Sequence, residues 1–332
     1  AIFTGDTLFL GDVGRPDLSQ DTVINTKHLA GLLYDSLRNK IMTLDDKVII
    51  YPGHGEGSSC GKSLSSETIG TLGDQKKTNY ALRKNMTKSE FIDEVLDGLD
   101  LPPKYFPLNV SMNKNGYDDS KEVLEKNLNP LDPDEFEDLI GKRNAIILDV
   151  RHQDDFSKAH IPNSIFIGLD GRFAPWVGEI LEDITTPILV VVPNGREEEV
   201  ITRLARVGFD HTLGYLKGGI ENWKSKEKTI SSIDSSEASV LNDLENKSQH
   251  PILDVRSHDE HQNESISGSL NIPLKSINKS IDQINFKSKF YIHCQGGYRS
   301  MIAASILKKN GIHSFSDVKG GYNSIKKASL KL

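Results

Sequence analysis

Short apolar runs alternate with amphipathic segments along most of the chain. The runs at 145–148 and 188–192 contain only apolar residues and have the length of buried strands, far too short to cross a membrane. Residues 28–37 carry leucines at helical spacing, whereas 48–51 form another apolar run that stops at a Pro-Gly pair. A further helical pattern covers 90–99. This alternation of strand and helix patterns predicts an α/β protein.

The pattern repeats itself in the C-terminal part of the chain. The tetrapeptide Leu-Asp-Val-Arg occurs at 148–151 and again at 253–256, each time after an apolar run, and Lys-Gly-Gly occurs at 217–219 and 319–321. Strand patterns alternate with helical patterns inside each copy. Two copies of one unit, each of ordinary domain size, are therefore predicted, each an α/β domain with a mostly parallel sheet.

Length and composition suggest how these elements are divided into domains. A chain of 332 residues is expected to form two or three domains. Residues 108–131 are polar, with little apolar periodicity, and are predicted to be a linker. The predicted domains are 1–107, 132–228 and 236–332, with a serine-rich junction at 231–239 between the last two. Because the sequence lacks an initiator Met and starts inside a strand pattern, we expect it to be the C-terminal portion of a longer protein.

The charge and the cysteine content narrow the classes of function. A net charge of −7 opposes binding to nucleic acid or to an anionic membrane surface, so neither partner is expected. The two cysteines, Cys60 and Cys294, lie in different predicted domains, so a disulfide is not expected. With no recognisable signal peptide, this cysteine usage favours the reducing cytoplasm.

The loop at 294–299 carries the strongest candidate chemistry. It lies between a strand pattern at 290–293 and an amphipathic helical pattern at 300–307, and it contains two adjacent glycines. Backbone N–H groups of such a loop can point inward and, with the dipole of the following helix, stabilise the thiolate of Cys294. Arg299 is predicted either to hold an anionic sulfur substrate or to brace the loop backbone. The predicted anion-binding residues between these two are Gln295, Gly296, Gly297 and Tyr298.

Plainer interpretations also apply to this loop. Free cysteines are often small buried core residues, and His293 beside Cys294 can either tune the thiol or point into the core. The glycines, the arginine and the following helix favour a reactive thiol. In the first copy, residues 193–199 have no cysteine and carry acidic side chains that would repel a bound anion. That copy is therefore expected to serve packing, orientation or partner contact.

The first domain carries a candidate metal site. Asp6 follows one strand pattern and His54 follows another, and a carboxylate with an imidazole suits zinc or non-haem iron. An aspartate in a turn and a lone histidine also have ordinary structural roles. Cys60, six residues after His54, is predicted either as a second thiol at the rim of the metal pocket or as a packing residue. Arg15 and Asp17 either position an anionic substrate or form a turn.

The second copy resembles the rhodanese family. The Cys–Arg spacing of five residues, the upstream Asp-Val-Arg, the intermediate Ile-Pro and the trailing Gly-Gly-Tyr occur in rhodanese order, and cysteine phosphatases use a loop one residue longer. The resemblance implies that Cys294 takes sulfane sulfur from a donor, becomes a persulfide and passes the sulfur to a thiol or another nucleophile. The first copy is similar to a rhodanese domain that lacks the nucleophile.

The N-terminal motifs resemble the metallo-β-lactamase superfamily, and the stretches 6–17 and 55–62 resemble persulfide dioxygenases fused to tandem rhodanese domains. The resemblance implies an α/β chain: the C-terminal part of a metallo-β-lactamase αββα fold, followed by two rhodanese-like α/β domains with mostly parallel sheets. Asp6 matches the family's metal-binding aspartate, and His54 matches its last histidine. The family's first histidine cluster and a further histidine are absent from this sequence, so these two ligands alone are not expected to complete the site.

The resemblance also implies a reaction. One Fe(II) would oxidise a low-molecular-weight thiol persulfide with O₂ to sulfite, and the rhodanese site would combine sulfite with a further persulfide to give thiosulfate. Fused enzymes of this kind are often homo-oligomers. Two alternatives stay open: a glyoxalase II-like thioester hydrolase with a zinc pair, and a non-catalytic rhodanese scaffold for interaction or sulfur sensing. The intact loop at Cys294 favours the sulfurtransferase over both.

Overall fold

The computed structural model describes residues 1–17, 25–56, 58, 60–62, 64–99, 105–117, 119–181, 183–241 and 251–329. The chain divides into two compact units, Ala1–Gly116 and Tyr117–Leu332. The second unit holds both predicted repeats. In the described part of the chain, no helix combines the length and the apolar character needed to cross a membrane. Within the stretch 55–62, Gly57 and Ser59 lie outside the described residues.

The first unit contains a three-stranded sheet that brings two strand ends together. β1 (Ile2–Gly5) pairs in parallel with β2 (Ile49–Pro52), and β2 pairs in antiparallel with β3 (Gly70–Thr71). The strand predicted at 48–51 is thereby confirmed, shifted by one residue. Because β1 and β2 are parallel, their carboxyl ends lie at the same edge of the sheet.

The first unit also contains helices, and local capping sets where two of them begin. They are α1 (Thr26–Ser36), which continues as a π-helical turn at Leu37–Ile41, α2 (Leu72–Thr78), α3 (Lys88–Leu96) and α4 (Phe106–Asn115). The Asn25 side chain accepts a hydrogen bond from the His28 N–H at the start of α1, and Thr87 and Glu90 form a capping box at the start of α3. The two helices predicted for this unit are confirmed, with bounds moved by a few residues.

The first repeat is a five-stranded sheet with helices packed against it. In the order β4-β8-β7-β5-β6, the strands are β4 (Pro130–Leu131), β5 (Ile146–Asp149), β6 (Ile165–Phe166), β7 (Ile188–Val191) and β8 (Thr212–Leu216). The helices are α5 (Ser120–Asn127), α6 (Pro133–Arg143), α7 (Gln153–Lys158), α8 (Phe173–Ile180), α9 (Glu197–Ala205) and α10 (Gly219–Ser225). Every described strand pair is parallel, as predicted.

The linker predicted at 108–131 is wrong. The segment contains most of α4, all of α5 and the edge strand β4. Asn127 at the end of α5 is buried and donates a hydrogen bond to the Asp210 carbonyl, and Pro130 pairs with Tyr215 in the sheet. The segment therefore belongs partly to the first repeat. Its apolar periodicity is weak because α5 buries a single large apolar side chain, Val123, among the described core residues.

The second repeat has the same construction. In the order β11-β10-β12-β13-β9, its strands are β9 (Ser235–Ser236), β10 (Ile252–Asp254), β11 (Leu270–Asn271), β12 (Phe290–His293) and β13 (Phe315–Val318). Its helices are α11 (His258–Asn263), α12 (Tyr298–Lys309) and α13 (Gly321–Ser329). All described pairs are again parallel. The serine-rich junction is thus not only a connection, because β9 within it forms the edge of this sheet.

Helix α12, which follows the cysteine loop, is buried on all sides over 300–307. The sequence placed a helix there correctly, but the expected amphipathic exposure is wrong. A helix buried all round lies in the interior of a fold. Here the outer face is covered by β6 and α7 of the first repeat, so the two repeats share one packed interior around this helix.

Candidate functional site

Cys294 lies at the carboxyl end of β12, in a loop that leads directly into α12. Its side chain is buried, and the Gly297 N–H donates a hydrogen bond to the cysteine Sγ at 3.1 Å. Gly297 has φ +100°, a conformation that favours glycine and turns this N–H back toward the sulfur. Because α12 begins at Tyr298, the helix dipole also favours negative charge on the sulfur. One N–H of the predicted nest, that of Gly297, thus points at the sulfur, and anion binding by the loop stays a prediction.

A second glycine pair supports the back of the loop. The Tyr322 N–H donates to the Cys294 carbonyl at 2.7 Å, and the Asn323 N–H donates to the Gln295 carbonyl at 3.1 Å. A Cβ atom at Gly321 would lie 2.3 Å from the Cys294 carbonyl oxygen, and Gly321 has φ +57°. The Lys-Gly-Gly motif therefore lets the start of α13 approach the loop closely.

Arg256 of the Asp-Val-Arg motif supports the cysteine loop through hydrogen bonds. Its guanidinium pairs with both carboxylate oxygens of Asp254 and donates to Gln295 Oε1 at 3.1 Å. It also lies 4.0 Å from the centre of the Tyr322 ring and donates to the Glu264 carbonyl. Sequence reasoning assigned no role to this residue. The recurrence of this arginine in both repeats was the sequence feature that could have indicated its structural role.

Arg299 lies at the end of the loop and is engaged by a carboxylate. Its two terminal nitrogens donate to Glu260 at 2.6 and 2.7 Å. These hydrogen bonds lower the pKa of Glu260 to about 2 and are the main reason that the pKa of Arg299 is raised. The charge of Cys294 contributes to the same rise, because the two side chains are neighbours. The structure adds Glu260 to the site; substrate holding by Arg299 stays a prediction.

Two titratable side chains lie in the interior beneath the loop. His293 is fully buried, which lowers its pKa, and its Nδ1 lies 3.2 Å from the Cys294 carbonyl oxygen. It therefore points into the core, the second of its two predicted orientations. Asp317 on β13 is also buried, and burial raises its pKa to about 7 although a hydrogen bond with Ser300 lowers it.

In the equivalent loop of the first repeat, an acidic side chain of the loop itself accepts the backbone N–H. Gly195 has φ +85°, and its N–H donates to the Glu197 side chain at 3.1 Å. Arg196 pairs with Glu199 and with Asp170. A carboxylate of the same chain thus accepts the N–H that an external anion would need. This contact gives a structural reason for the expectation that the first repeat binds no anion there.

The candidate metal ligands converge at the edge of the first sheet. Asp6 follows β1 and His54 follows β2, and His54 Nε2 lies 3.3 Å from Asp6 Oδ1. Each of Asp6, His54 and Cys60 offers a ligand atom within 4.8 Å of the other two. Asp6 and His54 are exposed and Cys60 is partly buried. A carboxylate, an imidazole and a thiol fit a transition metal and leave coordination positions open.

Close backbone contacts explain how these groups meet. A Cβ atom at Gly14 would lie 1.7 Å from the Asp6 carbonyl oxygen, and one at Gly53 would lie 2.8 Å from Asp6 Oδ1. The buried Asp12 accepts hydrogen bonds from the Lys62 N–H and the Tyr80 hydroxyl. It thereby ties the Cys60 segment to the turn that follows β1.

Arg15 and Asp17 form an ion pair with each other at 2.7 Å. Only 5 % of the arginine side chain and 9 % of the aspartate side chain are exposed. This mutual pairing accords with the turn role predicted for them.

Comparisons with known proteins concern both the two repeats and the first unit. The model of the Rhodanese-like domain matches residues 132–226 and 236–328. The uncharacterized protein YqhL of Bacillus subtilis (strain 168) is 35 % identical over 71 residues, 21 % of this chain and 56 % of that protein. The mitochondrial persulfide dioxygenase ETHE1 of Mus musculus is 32 % identical over 112 residues, 33 % of this chain and 37 % of that protein.

A solved structure resembles a larger part of the chain. A metallo-beta-lactamase from Staphylococcus aureus subsp. aureus COL superposes with a TM-score of 0.52 at 27 % identity, covering 65 % of this chain and 57 % of that one. Together with the parallel sheets, these matches confirm the expected α/β fold class. The chain spans 56 %, 38 % and 59 % of three curated relatives that it matches, about half of their length.

Proposed function

The chain belongs to the rhodanese-like domain family, and from this premise we propose that its second repeat carries sulfane sulfur as a persulfide on Cys294. The observation that carries the proposal is the hydrogen bond from the Gly297 N–H to the Cys294 Sγ at the N-terminus of α12. A backbone N–H and a helix dipole favour the thiolate form of a cysteine, which is the form that attacks sulfur. Sulfur metabolism of the rhodanese sulfurtransferase type follows from the family.

The proposed transfer has two displacement steps without net oxidation. In the first, the Cys294 thiolate attacks the outer sulfur of a donor persulfide or of thiosulfate. The donor S–S bond breaks, the donor thiolate or sulfite leaves with the electron pair, and a Cys294 persulfide forms. In the second, an acceptor thiolate or sulfite attacks the outer sulfur, and the Cys294 thiolate leaves. The Gly297 N–H stabilises the negative sulfur at the start and at the end.

The first unit supports a proposal for a coupled reaction. Asp6 and His54 would supply two ligands to Fe(II), with zinc as the alternative metal. A bound iron would supply O₂ chemistry that oxidises a low-molecular-weight persulfide to sulfite. The resemblance to ETHE1 and to the solved metallo-beta-lactamase supports this step. Sulfite made there would be an acceptor for the Cys294 persulfide and give thiosulfate. We propose that the protein acts in the cytoplasm as a homo-oligomer.

The test is the intact mass of the chain after exposure to a persulfide or to thiosulfate. We expect a gain of one sulfur atom that is lost with Cys294→Ser and reversed by cyanide or sulfite. Cys60→Ser is the matched control, since it removes the other thiol and leaves the Cys294 loop intact. Absence of sulfur uptake at Cys294 with every donor would refute the transferase and leave the repeats as a scaffold.

A further inference from the structure

The first repeat contacts the cysteine loop through Tyr298, the first residue of α12. The Tyr298 hydroxyl donates to the Gly168 carbonyl at 2.7 Å, and its ring packs edge-on against Phe166 with the centroids 5.9 Å apart. Burial raises the pKa of Tyr298, so the hydroxyl keeps its proton and remains a donor at physiological pH. The side chain following the sulfur-binding Gly297 is therefore directed into the neighbouring repeat.

Two glycines of the first repeat make room for this ring. A Cβ atom at Gly171 would lie 2.3 Å from Tyr298 Cζ, and one at Gly168 would lie 3.1 Å from Tyr298 Cε2. Neither glycine has a positive φ, so the backbone there would accept other residues. At Gly171, space for Tyr298 is the feature that requires glycine, whereas a Cβ at Gly168 would also lie 3.0 Å from Phe166 Cζ and 3.2 Å from the Arg151 carbonyl oxygen. We call Phe166, Gly168 and Gly171 the tyrosine socket.

A second contact fixes the same face of α12 two turns further on. The Phe166 N–H donates to Ser305 Oγ at 3.0 Å, and Ser305 lies on the same side of the helix as Tyr298. Gln153 at the start of α7 also reaches the loop, since its Nε2 would lie 3.2 Å from a Cβ at Gly297. Contacts at two levels set both the rotation and the axial position of a helix.

We propose that the first repeat, which has no nucleophile of its own, positions the Cys294 loop by seating Tyr298 in the tyrosine socket. The Gly297 N–H that holds Sγ belongs to the residue immediately before the anchored tyrosine, so a shift of α12 moves that N–H off the sulfur. Tyr298 is then a positioning residue. The inference rests on the proposed sulfur transfer at Cys294 and explains why an inactive copy accompanies an active one.

The test introduces one methyl group into the socket of the full chain. Gly171→Ala forces Tyr298 to move, so we expect the rate of Cys294 alkylation by iodoacetamide at pH 7 to fall about tenfold and its pH profile to move upward by about one unit. Sulfur uptake from thiosulfate should slow in parallel. Gly141→Ala is the matched control, because Gly141 is a helical glycine of the same repeat with open space around its Cβ position. It should match the wild type.

A second variant separates positioning from general damage to the fold. Tyr298→Phe keeps the ring and removes the hydrogen bond to Gly168, so we expect a smaller slowing, roughly two- to tenfold, with a correspondingly smaller upward move of the pH profile. If Gly171→Ala does not fold, this variant decides the question. Wild-type rates and pH profiles in the folded socket variants overturn the positioning role. Failure of sulfur transfer itself is distinct, since the wild type would then take up no sulfur.

Discussion

At the scale of single residues, the most unusual side chain is Asp317 beneath the Cys294 loop. It lies on β13 opposite Ile292 of β12, two residues before the cysteine. Its Oδ1 atom is buried and finds no hydrogen-bond donor within the described residues. Burial, the dominant cause, raises the pKa of Asp317 to about 7, so the folded state binds a proton that the unfolded chain has released.

This raised pKa predicts the pH dependence of one substitution. Between about pH 4 and pH 7 the folded protein binds more protons than the unfolded chain, so the contribution of Asp317 to stability falls as the pH rises through this window. Asp317→Asn removes this loss. The advantage of the variant over the wild type in free energy of unfolding should therefore grow between pH 4 and pH 7. For a pKa raised by about three units, it should reach about 4 kcal/mol.

Urea unfolding at pH 5 and pH 8 measures the gain. The exposed Asp282, in the same repeat, provides the control substitution Asp282→Asn, which should show no comparable trend. An advantage of Asp317→Asn that is the same at both pH values would contradict the account of the buried carboxyl.

At the scale of elements, Arg256 connects four segments around the loop. It bonds Asp254 at the end of β10, Gln295 in the cysteine loop and the Glu264 carbonyl after α11, and it stacks on Tyr322 of α13. The first repeat has the same pair, in which Arg151 bonds Asp149 and the Ala159 carbonyl. The hydrogen bond from Arg256 to Gln295 in the cysteine loop distinguishes the second repeat.

Exchanging these two arginines for lysine tests that difference. Lysine cannot reproduce the planar, bidentate contacts of arginine, so Arg256→Lys and Arg151→Lys should both destabilise the protein. Arg256→Lys alone also loses the support of Gln295. We expect its rate of sulfur uptake to fall at least about tenfold below that of Arg151→Lys, the effect of one charge-assisted hydrogen bond. Equal rates in the two variants would show that Arg256 does not act on the loop.

At the scale of the whole molecule, the chain carries a candidate metal-ligand edge in its first unit and a candidate thiol nest in its second. The edge arises because β1 and β2 are parallel and place Asp6 and His54 side by side. The nest arises because a glycine turn connects β12 to α12. Each site uses the carboxyl ends of parallel strands, where loops from neighbouring strands converge.

Metal content is the measurement at this scale. The variants His54→Ala and Asp6→Ala should each lose most of the bound metal, whereas Cys294→Ser should retain it. One iron per chain supports the dioxygenase, and a zinc pair supports the thioester hydrolase. Full metal occupancy in both ligand variants would exclude the proposed site.

The sequence alone determined the features that local patterns encode. Apolar runs predicted β2, β5, β7 and β12, because a buried strand needs only a few consecutive apolar residues. The repeat and the glycine loop at Cys294 were equally evident, since turn geometry depends on residues adjacent in the chain. These signals were sufficient for the α/β class and for the position of the thiol.

Only the tertiary structure decided which distant side chains meet. Glu260 pairs with Arg299 from another helix, and Tyr298 enters a socket formed by a different repeat. The same packing buries α12 on every side and adds α5 and β4 to the first repeat. Such contacts join residues far apart in the sequence, so no local periodicity records them. Which of these contacts form depends on the space that the packed elements leave and on the buried polar groups that need a hydrogen-bond partner.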